Sequence, residues 1–226
     1  MAYNISIRKM AAAIRLMDSF TGQAVWGRSM QVRMEDGAVP VAKPGGYYIF
    51  WDNGMTKRRL LAEGHGYEPA AKELDLYKLQ AKGRLSYNLW LIPDSAYDYP
   101  PDVEFREAQG RPGEVGHFPI ESSADCIRLM DAYPMDALHP ELLHMDVPDG
   151  MELENRHLVI RGREGEEETF CIWRAKNRAM GIYELEKPLE HVYGPYEAKL
   201  LLTMPLRADA AGRAAVPGGG LPVSSI

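Results

Sequence analysis

The stretch GGYYIFWDNG, at positions 45–54, constrains the fold of this 226-residue chain more than any other feature. Five large apolar or aromatic residues stand in a row between two turns that contain glycine. Because successive side chains of a β-strand point to opposite faces of a sheet, Tyr47, Ile49 and Trp51 share one face, and the two residues between them share the other. A strand that is apolar on both faces indicates a two-layer β-structure.

Turn residues and short alternating segments recur along the whole chain. The 21 Gly and 16 Pro are typical of short strands joined by turns. Few segments have helical periodicity: Pro140–His144 predicts one helical turn, and Lys72–Leu79 fits either a short edge strand or a helical turn. The predicted fold class is therefore mainly β. Strands are predicted at 13–18, 30–34, 47–51, 59–63, 85–92, 103–105, 126–130, 157–161, 169–173, 180–185 and 199–203.

The chain divides into three predicted parts. We expect an N-terminal β-sandwich at residues 1–79, a second β-rich domain at 83–205 and an extended C-terminal arm at 206–226. The sequence leaves open whether the two β regions are separate domains or one. The arm is rich in Ala, Gly and Pro, which is typical of a linker, and we expect it to contact a neighbour by adding to a sheet edge.

A series of landmarks near the N-terminus resembles a known family. The landmarks are Asp18, Thr21-Gly22, Gly27, Val32, Gly46-Tyr-Tyr-Ile-Phe50, Gly54 and Gly66-Tyr67. Their order over residues 11–68 resembles the carboxypeptidase regulatory-like, or prealbumin-like, β-sandwich. The resemblance implies that Tyr48 and Phe50 point into the sandwich. Leu60 and Ala62 of the returning strand are expected to follow them, whereas Arg58 stands where the family carries an aromatic residue.

The other face of the aromatic strand needs a cover. A row made of Tyr47, Ile49 and Trp51 is too apolar to stay in water without a reason. Either the second half of the chain or another molecule covers it. Further aromatic rings stand in the proline-rich loop at 93–101, which the paired prolines exclude from a helix. The candidate partner contacts are Tyr47, Trp51, Tyr97, Tyr99, Leu221 and Val223.

The net charge and the hydropathy of the chain limit the classes of partner that it can bind. The net charge of −6 gives no electrostatic basis for binding a nucleic acid, and we expect none. The basic cluster Lys57–Arg59 fits a turn and an exposed strand edge, with a small nucleic-acid patch as the alternative. Arg8, Lys9 and Arg15 interrupt any apolar run at the N-terminus, so no signal peptide is expected. No stretch approaches the roughly 20 apolar residues of a membrane helix, which predicts cytoplasmic synthesis and no membrane span.

Two pairs of potential metal or redox ligands favour a structural interpretation. His139 and His144 stand five positions apart with a proline between them, whereas a zinc-binding helix places its histidines four positions apart. Cys126 and Cys171 lack C-x-x-C spacing and fit two buried, reduced thiols better than a disulfide. We therefore expect no metal and no cofactor.

Catalytic patterns are also weak. The acidic residues of the proline-rich loop suit either sugar chemistry or a solvated loop, and the loop is favoured. These residues are Asp94, Asp98, Asp102 and Glu104. The chain has no nucleophile elbow, phosphate-binding glycine loop or dinucleotide fingerprint, so we expect it not to be an enzyme.

The segments DSFTG and PVAKPGGYYIFWD resemble accessory proteins of phage-tail-like contractile injection particles. In such particles small sandwich modules decorate or join parts of the tail. The resemblance implies a non-enzymatic assembly protein, incorporated into a virion-like particle, whose partners are other particle proteins or further copies. Sheet edges and the arm would make the contacts. The alternatives are a carbohydrate- or surface-binding module that uses Trp51 or the Tyr97–Tyr99 loop, and a hydrolase on a sandwich scaffold.

Overall fold

Strands dominate the computed structural model of this chain, which describes residues 9–27, 29–52, 54, 56–81, 86–101, 103–124 and 126–217. The predicted fold class, mainly β, is confirmed. Within these residues no helix has the length and apolar character needed to cross a membrane.

Among the described residues of the first half, the chain forms seven strands and one short helix. They are β1 (Met10–Asp18), β2 (Met30–Met34), β3 (Val41–Lys43), β4 (Tyr47–Trp51), β5 (Lys57–Gly64), β6 (Tyr67–Asp75), α1 (Leu76–Ala81) and β7 (Ser86–Leu91). The second half adds β8 (Phe105–Gln109), β9 (Val115–Pro119), β10 (Arg128–Leu129), β11 (Leu142–Asp146), β12 (His157–Arg161), β13 (Glu167–Asn177), β14 (Ile182–Leu185), β15 (Lys199–Arg207) and β16 (Arg213–Pro217). Single 3-10 turns form at Glu121–Ser123 and Arg178–Met180.

The chain forms two compact units. Unit 1 comprises the chain up to Asp18 together with Gln23–Asp98, and unit 2 comprises Ser19–Gly22 together with the chain from Tyr99 onward. The sequence predicts the boundary earlier, between residues 79 and 83. The observed boundary is later because β7 pairs in parallel with β1 and so belongs to unit 1.

The predicted arm at 206–226 is in part regular structure. Its first two residues complete β15, and β16 pairs antiparallel with β8. Most side chains of β16 are buried, so this strand is an integral part of unit 2. Residues 218–226, which include the predicted contacts Leu221 and Val223, lie outside the described residues.

Unit 1 contains two sheets. One has the strand order β3-β4-β1-β7, and the other has the order β2-β5-β6. In the first sheet β1 lies between antiparallel β4 and parallel β7. Parallel neighbours cannot be joined by a tight turn, and the long connection between β1 and β7 contains every other strand of the unit.

The alternation predicted for the aromatic strand is confirmed. Tyr48 and Phe50 of β4 are buried, whereas Tyr47 and Ile49 are half-buried and Trp51 is exposed. On the second sheet, Leu60 and Ala62 of β5 are also buried, as the resemblance implies.

Arg58 lies in the core of unit 1 and is 5% exposed. Its Nη2 donates to both carboxylate oxygens of Asp36 at 2.8 Å. Its guanidinium carbon lies 5.9 Å from the centroid of the Phe50 ring, which belongs to the other sheet. The expectation that Lys57–Arg59 forms an exposed basic edge is therefore wrong at the central residue, because strand alternation turns Arg58 inward while its two neighbours stay exposed.

Unit 2 is built on an antiparallel sheet of seven strands, in the order β10-β11-β14-β13-β12-β15-β9, and a two-stranded ribbon of β16 and β8. The predicted hairpin of 157–161 and 169–173 is confirmed, with His157 opposite Cys171 in β12 and β13. The central strands β12 and β15 are buried on both faces, with Val159 and Leu201 on one face. The other face carries the larger set of buried side chains. Its most deeply buried side chains include Leu158, Ile160, Ile172, Leu200, Leu202 and Met204.

Two local predictions need correction, and a third segment combines both of its predicted alternatives. Pro140–His144 does not form a helical turn: strand β11 occupies this region, and its buried residues Leu143 and Met145 have the period of a strand. Lys72–Leu79 forms the end of β6 and the start of α1, so both alternatives occur in succession. Strand β8 begins at Phe105, where the predicted short strand ends.

We expect Asp36→Asn to destabilise unit 1 by about 2–4 kcal/mol, because the substitution leaves the buried guanidinium of Arg58 without its counter-charge. The neighbouring pair of Glu35 and Arg59 is half-exposed, so Glu35→Gln should change stability by less than about 0.5 kcal/mol. Urea titration of 5-fluorotryptophan-labelled protein followed by 19F NMR measures both effects, since Trp90 belongs to unit 1. Equal losses in the two variants would contradict a special role for the buried pair.

Candidate functional site

The outer β4 face, formed by Tyr47, Ile49 and Trp51, is the first candidate surface and is only partly covered. Trp51 is 37% exposed, and the other two side chains are half-buried. The guanidinium carbon of Arg15 in β1 lies 5.2 Å from the centroid of the Tyr47 ring, within the range of a cation–π contact. The structure therefore places two predicted partner contacts, Tyr47 and Trp51, on one accessible face.

Apolar side chains that the sequence analysis missed extend the margin of the outer β4 face. Val41 of the edge strand β3 is 40% exposed and lies opposite Ile49. Trp26 is 65% exposed. Trp26 lies beside the start of β4: its Cβ is 3.7 Å from the position that a Cβ on Gly46 would occupy. A lone tryptophan in a turn has no periodic signal, so nothing in the sequence singled it out.

A buried carboxylate organises the other end of β1. Asp18 is 5% exposed, and its Oδ2 accepts hydrogen bonds from the hydroxyls of Tyr67 at 2.8 Å and Tyr97 at 2.6 Å. The two rings meet edge to face with their centroids 5.5 Å apart. Asp18 and Tyr67 open and close the sequence pattern that resembles the prealbumin-like family, so this hydrogen bond joins the two ends of the pattern.

The phenols of this cluster are hydrogen-bond donors. Burial raises the pKa of Tyr67 well above its usual range, and the charge and hydrogen bond of Asp18 raise it further. The phenol therefore stays protonated at neutral pH and keeps its bond to the carboxylate. The hydroxyl of Tyr97 also donates to Asp18. The polar group of this predicted partner contact is therefore already hydrogen-bonded within unit 1.

Tyr99 belongs to unit 2, whereas Tyr97 belongs to unit 1. The ring of Tyr99 packs edge to face against Phe20 and Phe105, with centroid distances of 5.2 and 4.9 Å. The predicted pair of loop aromatics is therefore divided between two units, and each ring serves packing within its own unit.

Where the structure describes them, the acidic residues in and just after the proline-rich loop stabilise a turn or face solvent. Asp94 accepts a hydrogen bond from the backbone N–H of Ala96 at 2.7 Å, as in an Asx turn. Asp98 and Glu104 are exposed, and Asp102 lies outside the described residues. This arrangement fits a solvated loop better than a pair of acids that flank a sugar.

An open cavity of about 870 Å³ lies beside β11 and β14 in unit 2. His144 and Arg178 line it, and each is paired: His144 Nδ1 lies 2.7 Å from Asp131 Oδ2, and Arg178 Nη2 donates to Glu152 at 2.7 Å. At the wall of the cavity, Arg178 is thus held in an ion pair and the imidazole of His144 lies against a carboxylate. The sulfur-bearing side chains of the lining are Met130, Met145, Met151 and Met180.

The two histidines considered as metal ligands have separate carboxylate partners. His139 Nδ1 lies 3.4 Å from Glu141 Oε1, whereas His144 pairs with Asp131. Across the described ranges, no three side chains from His, Cys, Asp and Glu are arranged to hold a metal ion.

Two stacked imidazoles lie on one face of the large sheet of unit 2. The ring centroids of His117 and His157 are 3.7 Å apart, and their planes differ by 23°. Burial, together with the charge of His157, lowers the pKa of His117 to about 4.

Cys171 lies opposite His157, and no disulfide joins Cys171 to Cys126. Both cysteines are half-buried, so the prediction that they are buried is wrong.

Glu168 of β13 anchors the loop at 186–198, a role that nothing in the sequence analysis indicated. Its carboxylate accepts hydrogen bonds from the backbone N–H groups of residues 190 and 191 at 2.7 and 2.9 Å, and from the hydroxyl of Tyr193 at 2.9 Å. Burial alone would raise the pKa of Glu168, but these hydrogen bonds outweigh it and the pKa is lowered. The anchored loop presents Tyr196, which is 83% exposed and has a φ of 65°.

Tyr67→Phe should destabilise unit 1 by about 1.5–3 kcal/mol, because it removes a hydrogen bond to the buried carboxylate of Asp18. Tyr77→Phe is the matched control, since Tyr77 is 69% exposed and its hydroxyl loss should have no measurable effect. Urea titration with the Trp90 fluorine signal compares the two variants. If Tyr67→Phe unfolds at the same urea concentration as Tyr77→Phe, the hydrogen bond to Asp18 does not stabilise unit 1.

The depressed pKa of His117 predicts that unit 2 loses stability as the pH falls from about 6.5 to about 4. In this window the unfolded chain takes up a proton that the folded imidazole does not. Because the ring is only partly buried, we expect a loss of about 1–2 kcal/mol after solvent screening. His117→Asn should remove this share of the pH dependence, and His65→Asn, at an exposed position, should not. Urea titration of the Trp173 signal at pH 7 and 4.5 checks this, and parallel curves for all three proteins would contradict it.

Comparison with models of protein families and with curated proteins gave no match to this chain. The resemblance to prealbumin-like sandwiches therefore depends on the landmarks within residues 11–68. The function has to be inferred from the surfaces that the two units present, above all the outer β4 face and its margin.

Proposed function

We propose that this chain is a non-enzymatic assembly protein that acts through protein–protein contacts of unit 1. The supporting observation is the outer β4 face, where Tyr47 and Trp51 remain accessible beside the more exposed Trp26 and Val41. Tryptophan and tyrosine are the residues most enriched at the energetic centres of protein interfaces. Large apolar side chains that stay exposed together commonly mark such interfaces.

Charged side chains around this face supply the polar rim that protein interfaces have. Arg15 lies over the Tyr47 ring, and Lys43 is the neighbour of Tyr47 on the edge strand. At the other end of β4, Lys9 Nζ lies 3.9 Å from Asp52 Oδ2. An apolar centre within a charged rim suits a protein partner, because the rim limits wrong pairings while the centre supplies the burial.

The setting that we propose is a phage-tail-like contractile injection particle, with other particle proteins or further copies as partners. The resemblance of residues 18–22 and 40–52 to accessory proteins of such particles supports it. A module that decorates or joins tail parts needs specific surfaces and no catalytic centre. Cytoplasmic synthesis followed by incorporation into the particle is the corresponding route.

A carbohydrate-binding role is the second candidate, and Trp51 supports it. A partly exposed indole on a sheet face can stack against a sugar ring. The alternative platform of Tyr97 and Tyr99 has less support, because the two rings belong to different units and pack within them. Glycan-array binding that disappears in Trp51→Ala would favour this candidate over assembly.

The double substitution Trp26→Ala/Trp51→Ala should weaken self-association or particle incorporation at least tenfold, since two interface anchors contribute about 2 kcal/mol or more. Tyr77→Ala is the control, because Tyr77 is an exposed aromatic residue of the same unit, at 69% against 65% for Trp26 and 37% for Trp51. Sedimentation equilibrium measures self-association. Quantitative antibody detection in the purified particle fraction measures incorporation. If the double variant associates and is incorporated like the control, the outer β4 face is not the interface.

A further inference from the structure

Unit 1 is closed on one side and open on the other. On the side of β6 and β7 the two sheets are linked by backbone hydrogen bonds, from Glu68 N to Ile92 O at 2.9 Å and from Asp94 N to Gly66 O at 3.0 Å. On the opposite side, β2 and β3 are the edge strands of their sheets. A groove of about 320 Å³ lies between them, and its apolar lining includes Met30, Val32, Val39, Pro40, Ala42 and Tyr48.

The edge of β2 offers backbone groups to this groove. Glu35 N donates to Arg59 O, so the odd-numbered residues of β2 point their backbone groups toward β5. The even-numbered residues point away from β5. Met30 N and Met34 N find local acceptors in Gly27 O and Ala38 O. Between them, the N–H and C=O of Val32 face the open edge, and no described residue of the chain bonds to them.

We propose that residues 221–226 of a second copy of this chain occupy the groove and pair with β2 as an added strand. This inference rests on the proposed assembly function and names the contact that joins copies. Strand addition supplies main-chain hydrogen bonds for affinity, and alternate side chains that enter the groove supply specificity.

The composition of the segment fits an apolar groove. GGGLPVSSI, at 218–226, has no charged residue, so no ionic group has to be desolvated on binding. Leu221 and Val223 would share one face of a strand and can both enter the groove. Pro222 has no N–H, which requires it to point away from β2 and fixes the register with its two neighbours bonding to the edge.

The length of the segment is also sufficient. Strand β16 ends at Pro217, and nine extended residues reach about 30 Å, whereas the five residues of β2 span about 17 Å. Residues 221–226 are therefore enough to cover β2, which leaves the three glycines at 218–220 as the link to the donor copy.

Binding of a fluorescein-labelled GGGLPVSSI peptide to the full chain tests this inference. The acceptor carries Leu221→Asp/Val223→Asp, so that its own segment does not compete for the groove. We expect saturable binding with a Kd between about 10 and 500 μM, a range that allows for the ordering of a free peptide. The peptide with aspartate in place of Leu221 and Val223 should bind at least tenfold more weakly. Fluorescence anisotropy measures both.

A groove variant and a matched control locate the site. Val39→Asp, in the groove lining at 77% exposure, should weaken peptide binding at least tenfold without affecting the fold. Val192→Asp, at 74% exposure in unit 2, should leave binding unchanged. Absence of binding at 1 mM peptide, or equal binding by the two variants, would overturn the inference.

The same proteins separate this inference from the proposed function. If Trp26→Ala/Trp51→Ala abolishes self-association while the peptide does not bind the acceptor, the outer β4 face mediates assembly and the strand-addition inference fails. If the peptide binds in the groove while the double variant assembles normally, strand addition is supported and the outer β4 face is not the interface.

Discussion

The alternation of strand β4 is the constraint on which unit 1 depends. Tyr48 and Phe50 turn inward and meet the second sheet, where the guanidinium of Arg58 lies over the Phe50 ring. The same backbone geometry turns Tyr47 and Trp51 outward, so the strand cannot seal the core without also presenting aromatic side chains on the other face. The core of unit 1 and its candidate interface are therefore two consequences of one five-residue strand.

Charged groups that are wholly or partly buried stabilise both units, because each has specific hydrogen-bond partners. Asp36 neutralises Arg58, Asp18 accepts from two phenols, and Glu168 accepts from backbone N–H groups and Tyr193. Each carboxylate joins segments that are distant in the sequence. A buried charge without partners is strongly unfavourable, so these contacts select one arrangement of the chain. The edges and loops that face solvent are consequently held on a defined scaffold, which lowers the ordering cost of binding a partner.

The two sheet edges of unit 1 have different roles. The side that carries β6 and β7 is linked by backbone hydrogen bonds, and it offers little to another chain. On the side that carries β2 and β3, the backbone N–H and C=O of Val32 have no partner among the described residues, and the side chains of Val39 and Ala42 are exposed beside them. An unprotected strand edge favours aggregation of a monomer, but in an assembly it can bind another chain. An incoming strand then bonds to the free backbone groups and buries the apolar groove at the same time. The outer β4 face and this groove are separate surfaces, so a copy of the chain can in principle contact more than one neighbour.

The sequence by itself determined the mainly β class, the two faces of β4 and the hairpin of β12 and β13, because local alternation and turn residues encode these features. It did not determine where the units divide, since the parallel pairing of β7 with β1 is a contact between residues far apart in the chain. The sequence wrongly predicted an exposed Arg58 and a helical turn at Pro140–His144. Arg58 is stabilised by its pairing with Asp36, and the strand at 142–146 by its pairing with β14, and both are tertiary contacts between residues far apart in the chain. The sequence also could not show that Tyr97 and Tyr99 pack in different units, or that Trp26 lies beside β4. Contacts between side chains that are distant in the chain produce no periodic pattern in the sequence.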